Sequence, residues 1–456
     1  MTQWWFRSWR LALSILKPTQ LILLLLVPSL AGAQVPLTGS PITGNVAPIT
    51  FQSGTSESNV LLGTIAGGAT VDDNNNYSVT DPIVGEQYFL TPSLAIQQTH
   101  SHLTWNLSYS PGFRFYVPSS SQPDQFSQLF GGTLHYDVTR RLAIGLRQDY
   151  LRTNDPFQQL GDSPLQPGIG LIDRPAAIAL PNVRRTSLLS ELLIDYRLAK
   201  HTSLGLAGHF MQMHYDTVSS PSSSLVPNSS LINMRNTSGS AFLSQQFSAR
   251  QSAGIQYDFL NMVFPQANSR TTSHGVLLFD QIAINPHMSF SIFAGPEYSR
   301  IHDQEVLNVL FLVIKIPVAK TLWSPAAGAT FSWRGDRLGL QAGFVRRVSD
   351  GGGLLGSVEM NNATLQIKKK LARRWVASLD GEMTQETLLD VSGNSTMKIL
   401  NAGAGISHEL AQNMWVRLSY QRMRRSGGYL SPLGFGDHNR VTLTVERNFN
   451  LPLGRQ

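Results

Sequence analysis

The feature that most constrains this chain is an alternation with a period of two residues, repeated from about Gln87 to the end. Runs of ten to fourteen residues carry apolar side chains at every second position and polar ones between, and a break follows each run. In Leu103 to Phe115, for example, Leu, Trp, Tyr and Phe alternate with Thr, Asn, Ser, Gly and Arg. Helical periodicity is nearly absent, so the pattern predicts extended strands with one apolar and one polar face.

Alternation alone does not separate a soluble sandwich from a membrane barrel, but three further features do so together. The runs exceed the five or six residues common in soluble strands and match the nine to eleven of a tilted membrane strand. Aromatic residues such as Tyr88, Trp105 and Tyr298 lie near the ends of the apolar faces, as at membrane interfaces. Short breaks alternate with longer ones, namely Asn154 to Val183, Asp216 to Met234, Ile301 to Lys320 and Ser426 to Asp437.

These features predict an all-β protein, a transmembrane antiparallel up-and-down β-barrel assigned to residues 87–456. About seventeen runs follow Gln87, and because bacterial single-chain barrels close with an even number, we expect 16 to 18 strands. Residues 34–86 are rich in Gly, Thr, Ser, Pro and Asn and are predicted to be a flexible polar N-terminal lead-in. A first strand near Val60 to Val71 would bring the number to eighteen.

Residues 1–33 have the layout of a cleaved signal peptide. Arg7, Arg10 and Lys17 precede the apolar run Leu21 to Leu30, and the small residues 31–33 supply a cleavage site. The apolar run is about ten residues long, half of the roughly 20 that a membrane helix needs. Export together with a barrel predicts the bacterial outer membrane as the location.

Composition excludes several classes of function. The chain has no cysteine, so it has no disulfide framework, thiolate nucleophile or Cys-type zinc site. Its net charge of +7 includes the signal segment, and its densest basic run, Lys368 to Lys370, falls at a predicted tight turn, so nucleic acid is not expected as a partner. No G-x-S-x-G motif or metal-ligand spacing stands out, so we predict no enzyme activity, metal or cofactor.

The final strand, Val441 to Leu451, resembles the C-terminal recognition strand of outer-membrane β-barrel proteins. Its apolar face carries Val441, Leu443, Val445, Phe449 and Leu451. It departs from the pattern by Arg447 on that face and by a five-residue tail. The resemblance implies a porin-like architecture, outer-membrane lipid as the surroundings and the barrel-assembly machinery as a partner, and it names no substrate.

Charged residues of both signs occur on the polar faces. They are candidates for a pore lining that tunes solute selectivity, or for cross-strand ion pairs that stiffen the wall. The mixture of signs favours ion pairs and weak charge selectivity. The candidates are Arg114, Arg147, Asp149, Glu191, Asp195, Arg197, Asp258, Glu297, Arg337, Asp380, Glu382, Arg417 and Glu446.

Sixteen or more strands leave room for water inside a barrel. We therefore predict a pore or channel for small polar solutes or for an exported polymer such as a polysaccharide. The alternative is a structural or surface-interaction barrel with a closed lumen. A secreted soluble β-protein is a weaker third interpretation, and the sequence leaves the oligomeric state open.

Overall fold

The computed structural model of the chain describes residues 59–75, 81–117, 124–153, 183–217, 233–309, 312–350, 356–389, 395–427 and 437–453. The predicted signal peptide and most of the predicted lead-in lie outside these residues, as do most of the long connections at 154–183, 216–234 and 426–437. No helix in the described part of the chain is long and apolar enough to cross a membrane.

The described residues form one closed sheet of eighteen antiparallel strands, as the alternation predicted. Each strand pairs with its neighbours in the sequence, and β1 also pairs with β18. The strands are β1 (Asn59–Asp72), β2 (Gly85–Thr99), β3 (Leu103–Val117), β4 (Gln125–Asp137), β5 (Leu142–Thr153), β6 (Val183–Ala199), β7 (Thr202–Thr217), β8 (Met234–Ser248), β9 (Gln251–Phe264), β10 (Ser269–Asn285), β11 (Met288–Val309), β12 (Leu312–Arg334), β13 (Leu338–Ser349), β14 (Val358–Ala372), β15 (Trp375–Leu388), β16 (Thr396–Ala411), β17 (Met414–Gly427) and β18 (His438–Pro452).

The barrel is closed by β1, which lies within the predicted lead-in. It pairs with β18 from Val60 opposite Pro452 to Asp72 opposite Arg440, and with β2 on its other side. The wall therefore begins at Asn59, so the boundary predicted at residue 87 is too late and the first strand considered near Val60 is present. The glycines and short side chains of β1 hide its alternation, which is why the pattern there is weak.

The outer face of the wall is apolar. Because side chains alternate between the two faces of a strand, the exposed large apolar residues mark one face of each strand. A continuous exposed apolar surface of this size is foreign to soluble monomers and suits hydrocarbon, and a closed sheet satisfies the backbone there. Examples around the wall are Leu90, Leu107, Leu146, Leu192, Leu206, Ile255, Leu278, Ile292, Phe344, Leu379, Leu418 and Leu443.

The connections differ between the two ends of the barrel. One end has tight turns, as between β6 and β7 and between β14 and β15, and we assign it to the periplasm. The opposite, extracellular end has the longer connections. The prediction of a long loop at Ile301 to Lys320 is wrong. Strands β11 and β12 extend through this region and stay paired as one hairpin up to Val309 and Leu312. The apolar run from Val306 to Val318 lacks clean alternation, which hid the strands.

Inner-face aromatic rings pack on glycines of neighbouring strands near the periplasmic end. Phe279 of β10 lies opposite Gly254 of β9, and Phe293 of β11 lies opposite Gly328 of β12. A Cβ added at Gly254 would lie 2.6 Å from the Phe279 ring, so only glycine allows this approach. Such pairs cover exposed backbone and fix the register of the strands.

The two faces make a matched test at neighbouring positions of β3. Leu107 is exposed on the outer face, and Asn106 is on the inner face. Leu107→Arg is expected to reduce the amount of folded barrel, because a charge facing hydrocarbon costs roughly 2 to 4 kcal/mol at the membrane midplane. Asn106→Arg is the control and is expected to assemble normally. Heat-modifiable gel migration measures both, and equal yields would contradict the face assignment.

Candidate functional site: the lumen and its extracellular end

Twelve of the thirteen charged candidates lie on strands at inner-face positions. Their sequence neighbours, such as Leu146, Leu192 and Leu418, are exposed on the outer face. Arg337 is the exception and does not lie in the wall. It belongs to the turn between β12 and β13, where its carbonyl accepts a hydrogen bond of 2.7 Å from the Lys370 amide. The prediction that Arg337 lines the lumen is wrong, because the alternation of inward and outward side chains stops in the turn between the two strands.

Several inner charges are held by polar neighbours on the wall itself. Arg147 Nε lies 2.6 Å from Asp149 Oδ2 on the same strand. Gln256 Nε2 donates to Asp258 Oδ1 at 2.6 Å, and Asn362 Nδ2 donates to Glu382 Oε1 at 2.7 Å. Only the first of these pairs neutralises charge, but all three bind a carboxylate to the wall, which is the arrangement expected of a stiffened wall rather than of a single-sign filter.

The periplasmic half of the lumen keeps charges of both signs in contact with water. Asp195, Arg197 and Arg417 point inward close to the periplasmic turns, and all three are exposed. Lys368 of β14 interacts electrostatically with Arg417 and Asp380. The sequence pattern did not indicate Lys368 as a lining residue, because its basic run is typical of a turn, whereas the strand continues to Ala372.

A polar cluster joins the first and last strands at the extracellular end. Asp72 Oδ1 lies 3.2 Å from His438 Nδ1, and Asp72 Oδ2 lies 3.8 Å from Arg440 Nε. Gln87 Oε1 accepts hydrogen bonds from Arg440 at 2.9 Å and from the lining candidate Arg114 at 3.2 Å. Buried ions with these partners hold β18, β1, β2 and β3 together at the rim.

The wall is incomplete between β12 and β13. Their pairing ends at Ala327 opposite Arg346. Continued by two residues, it would set Pro325 opposite Val348, and proline has no N–H to donate across a ladder. Among the described residues, no strand pairs with the β13-facing edge of β12 above Ala327. We call residues 312–326 of β12 and 347–349 of β13 the overlap seam.

At the seam, the end of β13 passes inside the β11–β12 hairpin. Phe344 and Val348 lie on the same face of β13, and its register with β14 is unbroken to Ser349. Phe344 is 43% exposed on the outer wall, yet Val348 is 1% exposed. Val348 packs with Ile301 of β11 and Leu322 of β12 in one apolar cluster. The outer face of β13 is therefore covered by the neighbouring strands at this level.

Glu297 holds the end of β13 in this position. Its Oε2 accepts a hydrogen bond of 3.2 Å from the Val348 amide, and its Oε1 accepts one of 2.5 Å from Ser273 Oγ. Ser357, just before β14, donates to Thr271 Oγ1 of β10 at 2.5 Å. Glu297 is buried, so this lining candidate does not meet water in the closed arrangement. We call its two hydrogen bonds the Glu297 latch.

The extracellular end of the lumen is dry where β13 folds inward. The side chains there form what we call the seam cluster: Met213, Met234, Leu260, Met262, Phe264, Ile301, Val348 and Leu389, with Met211, Tyr215 and Leu322 partly buried against it. The interior predicted to be polar throughout is therefore polar in its periplasmic half and apolar here. Within the described ranges, no group of three or more His, Cys, Asp or Glu is placed to hold a metal ion.

A closed eighteen-stranded wall with an apolar exterior and charges inside defines an outer-membrane β-barrel protein. Arg447, on the apolar face of β18, stacks on the Phe449 ring at 5.2 Å close to the periplasmic end, where a long cation reaches the interface. The outer-membrane location predicted from the sequence follows from this architecture.

Solved structures with which the chain can be superposed are outer-membrane barrels. OpdQ of Pseudomonas aeruginosa is 10% identical with a TM-score of 0.43, over 86% of this chain and 99% of OpdQ. OpdK of the same organism, solved with vanillate, is 10% identical with a TM-score of 0.41, over 87% and 99%. The unliganded ferric citrate transporter FecA is 11% identical with a TM-score of 0.43, over 88% and 64%. No family model and no curated protein matches the chain.

The Glu297 latch predicts a local change in hydrogen exchange. Glu297→Ala removes both acceptors, so the amides at the end of β13 around Val348 are expected to exchange faster, while those of residues 338–345 stay protected by their ladders. Asp258→Ala removes another inner carboxylate, bonded to Gln256, and is the control. Hydrogen exchange read by mass spectrometry measures this, and unchanged exchange in Glu297→Ala would contradict the latch.

Proposed function

We propose that the protein is a gated channel for small polar solutes in the outer membrane. The observation that carries the proposal is the contrast along the lumen. The periplasmic half keeps exposed charges of both signs, whereas at the extracellular end a strand end is packed in the seam cluster inside the wall and bonded to one carboxylate. A barrel of eighteen strands has room for water when that end is withdrawn.

The closing element has the properties of a gate. The end of β13 is paired with β14 but not with β12, so it can move without breaking the ladder between β12 and β13. Its contacts with the opposite wall are side-chain packing and a few hydrogen bonds, among them the Glu297 latch and the bond from Ser357 to Thr271. A hydrophobic constriction of this kind excludes water when closed and conducts when it parts.

Charge selectivity is expected to be weak. Inward charges of opposite sign lie close to one another, as Arg147 does to Asp149 and Lys368 to Asp380, so their fields largely cancel in the lumen. We propose no catalytic role, because these groups are engaged with each other on the wall. The particular solute, and the polysaccharide considered from the sequence, stay predictions.

A structural barrel with a permanently closed lumen is the second candidate, and the buried seam cluster is the observation that favours it. The two candidates differ in whether the extracellular end opens. Conductance of the purified protein in planar bilayers distinguishes them directly.

Glu297→Ala is expected to raise the open fraction of the channel. Of the two latch bonds, only the one from the Val348 amide joins β13 to β11. A hydrogen bond to a charged acceptor contributes about 1.5 to 3 kcal/mol, so losing this one is expected to raise the ratio of open to closed states about ten- to a hundredfold. Wild type is expected to be mostly closed with brief openings, and Asp258→Ala to behave as wild type. Single-channel recordings measure the open fraction. Silence of both wild type and Glu297→Ala, with normal heat-modifiable migration, would favour the closed structural barrel.

A further inference from the structure

The overlap seam has apolar residues on both of its edges. Leu322 on β12 and Val348 on β13 both pack in the seam cluster inside the lumen. Trp323, next to Leu322, is 69% exposed on the outer face, and its ring lies 5.1 Å from that of Tyr298. Apolar side chains therefore flank the seam on both the outer and the inner side of the wall.

The lower edge of the seam lies at the depth of the outer leaflet. Trp333 lies at the periplasmic end of β12, and Pro325 is eight residues further along the strand. At about 3.3 Å per residue and a tilt of about 40°, this is about 20 Å across the membrane. The hydrophobic band of such barrels is about 25 Å tall, so the lower edge of the seam lies within the outer part of the hydrocarbon.

Opening the wall at the seam breaks fewer backbone hydrogen bonds than opening it between other neighbouring strands among those described. Between most neighbouring strands, a continuous ladder of backbone hydrogen bonds spans ten or more residue pairs. Between β12 and β13 the ladder is absent above Ala327, and the edges are held by side-chain contacts and hydrogen bonds, among them the Glu297 latch. Side-chain rearrangement is thus enough to part them.

The seam cluster has the composition of an adaptable apolar binding surface. Met213, Met234 and Met262 come from three neighbouring strands and lie together with Phe264 and the partly buried Met211. Thioether side chains are unbranched and polarisable, so they fit apolar and aromatic molecules of varied shape. Tyr215 Oη lies 3.8 Å from Met213 Sδ, which places an aromatic ring at the edge of this surface.

We propose that the overlap seam is a side entrance for small uncharged apolar or aromatic molecules. Such a molecule leaves the outer leaflet between β12 and β13 and binds in the seam cluster. It then continues into the wetter periplasmic half of the lumen. This route is separate from the axial route of polar solutes and does not require that the extracellular end open to water.

The experiment uses the neutral dye N-phenyl-1-naphthylamine, whose fluorescence rises when it reaches apolar surroundings behind the outer membrane. Cells that produce the protein are expected to take up the dye faster than cells with an empty vector. Met262→Gln places an amide in the seam cluster and is expected to reduce the protein-dependent rate about tenfold, which corresponds to about 1.4 kcal/mol. Met213→Gln is the second variant, for the case that Met262→Gln fails to assemble.

Met423→Gln is the matched control. Met423 of β17 is a buried inner-face methionine at the same end of the barrel, 2% exposed against 0% for Met262, but it lies outside the seam cluster. It is expected to leave dye uptake unchanged. Heat-modifiable migration confirms that each variant is folded.

The outcomes separate this proposal from the channel proposal. Dye uptake that falls in Met262→Gln or Met213→Gln and persists in Met423→Gln supports the side entrance. Uptake equal to that of the empty vector, or equal loss in Met262→Gln and Met423→Gln, overturns it, even where bilayer recordings show an ionic current. Dye uptake without any ionic current would sustain the side entrance and count against the axial channel.

Discussion

The structure depends on the requirement that every backbone N–H and C=O in hydrocarbon find a partner within the protein. This requirement makes the sheet close, and closure makes alternate side chains face lipid and lumen. It is met between most strands by regular ladders. Between β12 and β13 the ladder ends at Ala327, and Pro325, two residues further on, has no N–H to donate across it. The amide of Val348 donates instead to the carboxylate of Glu297 on β11.

The early end of the ladder between β12 and β13 changes the shape of the lumen. Once β13 is freed from β12, its end moves inside the hairpin and covers the inner faces of β9 to β11. On this side the extracellular end becomes a packed apolar layer, while Asp72, His438 and Arg440 keep the side of β1 and β18 polar. The periplasmic half keeps exposed charges of both signs. A polar lumen and a dry closure thus coexist in one barrel, at levels separated by about half the length of a strand.

The sequence was sufficient to predict the architecture, because period-2 alternation is a local signal that is repeated in strand after strand. It predicted the closed antiparallel barrel, the range that includes eighteen strands, and the outward positions of β18 such as Leu443 and Val445. It did not predict the seam, because the contact of Val348 with Glu297 and that of Ser357 with Thr271 join residues distant in sequence. A signal for the dry end was present in β9, whose inner face changes from Gln256 and Asp258 to Leu260, Met262 and Phe264.

The pairing of β1 with β18 has a consequence for how the barrel is made. Thr70 and Thr442 are hydrogen-bonded at 3.0 Å across 372 residues of sequence, so the two edges meet only when the last strand has been delivered. Contacts of such sequence separation form slowly. Until then the growing sheet has two open edges. The unpaired backbone groups of an open edge are unstable in hydrocarbon, and outside it they pair with other chains. The nascent protein must therefore have both edges shielded from its first strand to its last.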